Sequence, residues 1–479
     1  MKEENQQFPK NWEECPISNV FEIRSGYGFP KDLQGNGNGD IPFFKVGDIS
    51  KNWQSGEITL VKANHYISEE TSDSLRIKKF PKGSVVFAKI GAAVALNRRA
   101  ILDQDSAIDN NVMSLIPNTV TEPKYTFYFM CQVDLGKNTR GGNVPSLRNS
   151  DVGDLPFPLP PLNEQKRIVA KIEELFSELD AGEQSLRDAR QQLTLYRQSL
   201  LKQAFEGKLT EQWRANNPHK LEAPEKLLAR IQQERESRHQ QQLQDWQQAV
   251  DQWEQNGKEG KKPAKPRKIV TPESVEQPWS IPSSWCWTSM GHLKLFSLYG
   301  PRFSSDDYSN NGISVLRTSD ISETGKVNLA STPKLQLSES ELYQYRCDKG
   351  DLLITRTGSL GTLAQFNDNI DAIPGAYLIQ YRLSNPLYST YLYHFFKSPI
   401  GQAKLTGGGA GVGRPNLNAP TIELIAIPLC SLSEQQEIDR ILDEQFTAIE
   451  HNEKEIDLAL TQSQALRQSI LKKAFKGKL

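Results

Sequence analysis

The chain carries 479 residues, with 57 Lys and Arg against 58 Asp and Glu, for a net charge of −1 at pH 7. That balance excludes a globally basic nucleic-acid coat, so any nucleic-acid surface has to be local and offset by acid elsewhere, and the length accommodates roughly two to four domains. No apolar run approaches the ~18 residues of a membrane span, the N-terminal MKEENQQ lacks the apolar stretch of a signal peptide, and five scattered Cys without a CxxC pair point to a reducing cytoplasm without structural zinc or a disulfide framework.

Residues 1–155 are Gly-rich and read as short strands separated by turns. Within them stand Pro9-Lys10-Asn11-Trp12, the run Phe44-Lys45-Val46-Gly47-Asp48-Ile49-Ser50, Lys82-Gly83 followed by Val85 to Gly91, and a glycine pair with Pro145. Residues 156–210 open on Pro156, Pro158, Pro160 and Pro161 and then predict one long helix, with Asn163 at the N-cap and Glu164 in the first turn. Ile172, Leu179, Leu186, Leu193 and Leu200 fall seven apart, and Leu175, Gly182, Ala189 and Tyr196 form the interleaved series. This is an a/d seam whose small residues would let a partner helix come close.

Residues 211–278 form an insert. Leu227, Leu228, Ile231, Leu243, Trp246, Val250 and Trp253 recur at helical spacing, and the basic, Pro- and Gly-containing stretch Gly257 to Lys268 ends that helix. Such a stretch reads as a solvated linker ahead of a phosphate-binding tail. The Trp pair implies that the helix docks, on this chain's long helix or on a partner.

Residues 279–426 return to the framework of the first segment with most of the intervening residues changed. Pro282-Ser283-Ser284-Trp285 answers Pro9 to Trp12, Leu316 to Ser322 answers Phe44 to Ser50, and Lys349-Gly350 with Leu352 to Gly358 answers Lys82 to Gly91; Gly408, Gly409 and Pro415 close the segment. Residues 427–479 repeat the helix, with Ser433 and Glu434 at its start, Leu442, Ile449, Ile456 and Ile470 along the seam, and Ala459 and Leu466 interleaved. Laid without a gap over 158–209, residues 428–479 share 21 identities. The spacing of 270 residues far exceeds a solenoid unit of roughly 50. The predicted fold class is therefore α+β: two globular mixed α/β domains joined by two long helices that form an antiparallel coiled coil, in a pseudo-two-fold repeat. About 40 residues at 1.5 Å each make each helix roughly 60 Å long.

Catalytic motifs are missing. The six His include no HxxxH or HExxH arrangement, and Gly407 to Arg414 lacks the Gly-Lys-Ser/Thr ending of a phosphate loop and meets Pro415 instead of a helix. Asn217-Pro218-His219 is not the tetrapeptide of amino-methyltransferases. The residues read as a binding protein, with no metal or cofactor site. For nucleic acid, the candidates are cations in or beside Gly/Asn-rich loops: Lys45, Lys89, Arg98-Arg99, Arg140 and Arg148 in the first copy, and Arg302, Arg317, Arg356 and Arg414 in the second. Lys45 with Arg317, and Lys89 with Arg356, occupy the same framework places. The competing reading is a coiled-coil scaffold that binds proteins only.

On the Pro-rich lead into Leu162-Asn163-Glu164-Gln165-Lys166-Arg167-Ile168, the closing Ala204-Phe205-Glu206-Gly207-Lys208-Leu209-Thr210 with Trp213-Arg214, their second-copy partners, and Gly350 to Gly361, the chain resembles the specificity (HsdS) subunits of type I restriction–modification systems. The resemblance covers nearly the whole chain. It implies target-recognition domains at 1–155 and 279–426, held apart by the helices of 156–210 and 427–479, with the insert at 211–278 a departure from the repeat. It further implies a non-catalytic, cytoplasmic subunit that reads a bipartite site in double-stranded DNA, the coiled coil setting the spacer. Two modification subunits, which bind S-adenosylmethionine, and restriction subunits are the implied partners. Base contacts in this family sit in variable loops, so no single contact is carried over.

Overall fold

The structure, a computed structural model, describes residues 8–479 apart from 140–144, 261, 267, 270–274, 323, 384–386 and 408–416. The helices that organise it are α1 (Pro123–Gln132), α2 (Leu162–Phe205), α3 (Pro224–Gln255), α4 (Leu387–Lys397) and α5 (Leu432–Ala474). By compactness the chain divides into two units, residues 1–188 with 455–479, and residues 189–454. The division falls inside the long helices α2 and α5, so each unit is one globular domain with a stretch of both.

In the first unit a five-stranded sheet runs Glu22–Ser25, Val112–Ile116, Val85–Ala88, Arg99–Leu102, Thr59–Leu60. Its pairs are antiparallel except at the edge, where Thr59–Leu60 lies parallel to Arg99–Leu102. The three inner strands are buried at every residue, which is why, apart from Arg99 and Ser114, they read as apolar runs instead of alternating. A smaller sheet orders Tyr66–Ile67, Ile41–Phe44 and Ala107–Ile108. The second unit follows the same plan with Lys294–Tyr299, Leu378–Leu383, Leu352–Thr355, Leu363–Gln365, and a smaller sheet of Lys334–Leu335, Ile313–Leu316, Ala372–Pro374. In both units an antiparallel ribbon leads the chain into a long helix: Glu13–Pro16 with Pro156–Leu159 before α2, and Cys286–Ser289 with Ala426–Leu429 before α5.

Each domain core is completed by the last turn of the helix that began in the other copy. Phe475, at the end of α5, sits 5.0 Å from the Tyr125 ring and 5.5 Å from Phe129 of α1. Phe205, ending α2, lies 5.2 Å from both Tyr391 and Phe395 of α4. Tyr125 Oη donates to the Pro158 carbonyl and Tyr391 Oη to that of Pro428, so the same tyrosine also fixes each ribbon. The conserved Gly-Lys-Leu endings have a steric reason: a Cβ on Gly207 would stand 2.4 Å from Pro282, and one on Gly477 would stand 2.4 Å from Pro9, both glycines having positive φ.

Within each unit α2 and α5 run antiparallel. Of the seam residues, Ile172, Leu200, Leu442, Ile449, Ile456 and Ile470 are buried, and Leu179, Leu186 and Leu193 are half-buried; a fully buried aliphatic side chain contributes about 1.5–3 kcal/mol. The interleaved series behaves differently from the sequence expectation. Gly182 and Ala189 are exposed, Tyr196 and its counterpart Leu466 are 45% and 47% exposed, and a Cβ on Gly182 would meet nothing within 4 Å. The small residues therefore do not serve a close approach. Repeated cationic clamps hold that edge instead. Arg467 bonds Glu183 at 3.1 Å with its guanidinium 5.2 Å from the Phe176 ring, and Arg197 reaches Glu453 at 3.7 Å, 4.8 Å from Phe446. Each cation–π contact adds on the order of 0.5–1 kcal/mol at such partly exposed sites. The Ser463 hydroxyl, and after it Arg467, hold the Glu183 carboxyl below the usual carboxylate range.

Helix starts also differ from expectation by a residue or more: α2 begins at Leu162 and α5 at Leu432, so Asn163 and Ser433 lie inside the first turn, and Ser431 Oγ accepts from the Glu434 amide at 3.4 Å. The insert helix α3 buries Leu227 and Ile231 in the second unit's core. Its Trp pair holds the chain that follows: the Trp246 indole donates to the Pro263 carbonyl (3.1 Å) and the Trp253 indole to that of Gly260 (3.3 Å). Gly260 and Pro263 of the basic stretch are thus held against this helix.

Candidate nucleic-acid interface

The framework shared by the two domains converges on one end of each main sheet. Gly26 and Gly300 follow the first strand, and a Cβ on either would stand 2.1 Å from a carbonyl oxygen, that of Ile108 or of Gly375. Only glycine lets the backbones pass this closely. Their amides donate to Val112 (3.0 Å) and Leu378 (3.2 Å). Across the intervening strand, Val112–Ile116 or Leu378–Leu383, Lys89 and Arg356 stand one residue past the strands Val85–Ala88 and Leu352–Thr355. The Lys89 amide donates to the Asn111 carbonyl (2.9 Å) and its carbonyl accepts from Leu147 (2.9 Å); Arg356 does the same with Tyr377 (3.0 Å) and Leu417 (3.0 Å). The cation in each domain is therefore pinned at both backbone groups, and Gly91 and Gly358, both at positive φ, turn the chain just beyond it. The Arg356 guanidinium lies 4.6 Å from the Tyr299 ring.

Lys45 and Arg317 also occupy equivalent places, each ahead of a short helical turn whose buried Asp48 or Asp320 accepts from the cation's own amide, at 2.7 and 2.9 Å. Their side chains diverge. Lys45 Nζ bonds Gln34 at 3.0 Å and sits 5.8 Å from the Phe29 ring. Arg317 is bidentate on Asp320 at 3.0 and 2.8 Å and donates further to the Ser331 carbonyl at 2.8 Å. Its fork thus anchors a turn, which is a positioning role. Arg148 is exposed and its amide donates to Asp151 at 2.8 Å. Arg98 is half-buried at the start of the strand Arg99–Leu102. Its neighbour Arg99 is a correction to the sequence reading: it is buried and donates to the carbonyls of Asn97 and Val133, a core role in which burial pushes its pKa down. Arg140 and Arg414 lie outside the described residues. The Gly350 to Gly361 stretch contributes Asp351, buried and bonded by Arg382 and Gln380, to the sheet's support.

Two contributions were invisible in the sequence. Asn111 and Tyr377, opposite the pinned cations, carry no motif signal. The Pro-x-x-Trp pairs were recognised as framework without a partner, and the partner is the first-turn glutamate of the long helix. The Trp12 indole donates to Glu164 at 2.8 Å and the Trp285 indole to Glu434 at 3.0 Å. Glu434 is fully buried and takes two further donors, Thr210 Oγ1 at 2.7 Å and Arg214 Nε at 2.9 Å; Glu164 takes Asn11 at 2.6 Å. Among the described residues no group of three or more His, Cys, Asp or Glu is placed to hold a metal ion, and no helix is long and apolar enough to cross a membrane.

Comparisons with known proteins bear on both copies. The family model of the type I restriction modification DNA specificity domain matches residues 9–186 and again 296–460. The chain is similar to the specificity subunits of the type I restriction enzymes EcoBI from Escherichia coli and EcoKI from Escherichia coli strain K12, each 24% identical over 98% of this chain and over 86% and 90% of those proteins. Its fold resembles the HsdS subunit from Thermoanaerobacter tengcongensis, with a TM-score of 0.56 at 18% identity over all of both chains. It also resembles a chain from a structural study of complex assembly and conformational transition of the type I R-M system, with a TM-score of 0.66 at 18% identity, over 99% of this chain and all of the other.

Proposed function

The chain belongs to the type I restriction–modification DNA specificity family, and from that premise we propose that it reads a bipartite DNA site, one half through each globular domain. It is the specificity subunit of a type I restriction–modification enzyme and is itself non-catalytic. Its partners are double-stranded DNA, two modification subunits and, in the holoenzyme, restriction subunits; S-adenosylmethionine belongs to the modification subunits, and the assembly works in the cytoplasm. The observation that carries this reading is the duplication itself: the family model matches twice, on two domains of one plan whose framework is kept. Lys45, Lys89, Arg98 and Arg148 in the first domain and Arg356 in the second are the cations we assign to DNA, with Arg140 and Arg414 kept on sequence grounds and Arg317 shaping its turn. The lengths of α2 and α5 set the unread spacer.

A genome-wide map of methyladenine, in cells expressing the cognate modification subunit with and without this chain, tests the function. A split motif with a fixed gap that appears only with the chain is the expected result. With the modification subunit present and active, no chain-dependent motif would leave the protein-only scaffold.

A further inference from the structure

We infer that Lys89 with Asn111, and Arg356 with Tyr377, are the specificity-determining pairs of the two half-sites. This deepens the DNA-reading function proposed above and rests on it. The pairs occupy one place in two copies of the framework. Ala88 and Val112 are cross-strand partners at the end of one sheet, as Thr355 and Leu378 are in the other. The residue just past one strand is the cation and the turn residue just before its neighbour is Asn111 or Tyr377, joined by the backbone hydrogen bonds of 2.9 and 3.0 Å. That backbone hydrogen bond sets each cation beside its turn residue, and the two together form a single two-residue reading head.

Three features distinguish these positions from ordinary surface residues. First, the platform is rigid: both backbone groups of the cation are bonded, and on the other side of the intervening strand Gly26 or Gly300, bonded to Val112 or Leu378, admits no side chain. Positions held on sheet ends present side chains more reproducibly than loop tips do. Second, the supporting residues keep their character between copies. Ala88 and Thr355, Val112 and Leu378, and Leu147 and Leu417 are all buried. Third, the presented residues change while staying outside the core. Asn111 is exposed and Tyr377 is 51% exposed. Asn111 is itself oriented, since its amide and its Nδ2 both donate to Asp109 Oδ1 at 2.8 Å.

The chemistry of the two pairs differs in the way that two half-sites require. An Asn amide pairs in bidentate fashion with adenine N6 and N7, and Lys reaches guanine acceptors or a phosphate; an Arg fork pairs with guanine O6 and N7, and an aromatic ring makes apolar contact with the thymine methyl. Asn111 reads an adenine in the first half-site, and Arg356 with Tyr377 reads a guanine and its neighbouring pair in the second.

The test uses the complex of the full chain with its modification subunits and a panel of duplexes carrying every single base-pair replacement across both half-sites. The variants are Asn111→Ala, Asn111→Asp and Tyr377→Ala. In the Asn111 variants, discrimination at one base pair of the first half-site falls by about 5- to 150-fold, the range of one bidentate contact, and the second half-site keeps its wild-type profile. Tyr377→Ala gives the mirror result. Uniform weakening over all sequences, an unchanged profile, or changes in both half-sites together would overturn the assignment. A wild-type complex without discrimination anywhere would instead remove the DNA-reading function on which it stands.

Discussion

Replacing Glu434 by Ala strikes the joint between a domain and its long helix. The carboxylate is fully buried and takes the Trp285 indole, the Thr210 hydroxyl and Arg214 Nε, whose side chain is itself 14% exposed. Its removal leaves an indole N–H and the Nε of a nearly buried guanidinium without their acceptor, while Arg214 Nη2 keeps the Gly207 carbonyl. Truncating one member of a buried ion pair costs about 3–5 kcal/mol. The repeat supplies an internal control: Glu164 is half-buried and bonded by Trp12 and the exposed Asn11, so Glu164→Ala costs about 1–2 kcal/mol for one buried donor left unpaired. Amide hydrogen exchange resolves the two sites in one molecule. Protection of the Cys286–Ser289 ribbon falls by the larger amount in Glu434→Ala and protection of the Glu13–Pro16 ribbon by the smaller amount in Glu164→Ala, each with the other ribbon unchanged. Glu434→Gln, which keeps an acceptor and loses the charge, falls between. Equal losses in the two Ala variants, or no loss in Glu434→Ala, would refute the reasoning.

Gly300→Ala forces a Cβ to 2.1 Å from the Gly375 carbonyl oxygen, and an overpacking cost of about 3 kcal/mol or more should appear as a lowered urea midpoint for the second unit; an unchanged midpoint would mean the backbones separate freely there. Asp439 of α5 is half-buried with one carboxylate oxygen enclosed and unpartnered, and burial, then the charge of Asp443, push its pKa from 3.8 up to about 8; His394 of α4 lies 3.7 Å from Asp443. With the folded pKa raised, the native state holds a proton that the unfolded chain releases, so stability declines as pH rises from about 4 to about 8, with a ceiling of about 6 kcal/mol. Asp439→Asn should flatten that decline in a pH series of denaturation curves, and an unaltered slope would acquit the residue. Adding one heptad to both α2 and α5 lengthens each by about 10 Å, close to three base-pair steps of 3.4 Å; the methylated motif should gain a spacer longer by about that number, and a constant spacer would sink the ruler.

Local pattern was enough to identify the duplication, the class of each segment and the long helices with their buried a positions, because a seven-residue apolar period and a shared run of Arg-Gln-Ser or Gly-Lys-Leu are written in neighbouring residues. Even the places of Lys89 and Arg356 were legible, since each follows a short apolar run bounded by glycine. What the chain does with those residues depended on partners far away in sequence. Arg98 and Arg99 are adjacent, and folding buries one of them and brings the carbonyl of Val133 to it beside that of Asn97. Arg317 stands at the framework place of Lys45, and a buried Asp320 occupies its fork. Gly182 suits a close helix crossing by composition, but the open space above it shows that none occurs there. The acceptor of the Trp12 indole lies 152 residues on, at Glu164, and no local periodicity encodes a hydrogen bond across that distance. Periodicity and turn chemistry determined which elements form; burial, register and the pairing of charges, which exist only once the sheets and the two helices have assembled, decided which of the polar side chains hold the fold and which stay at the surface.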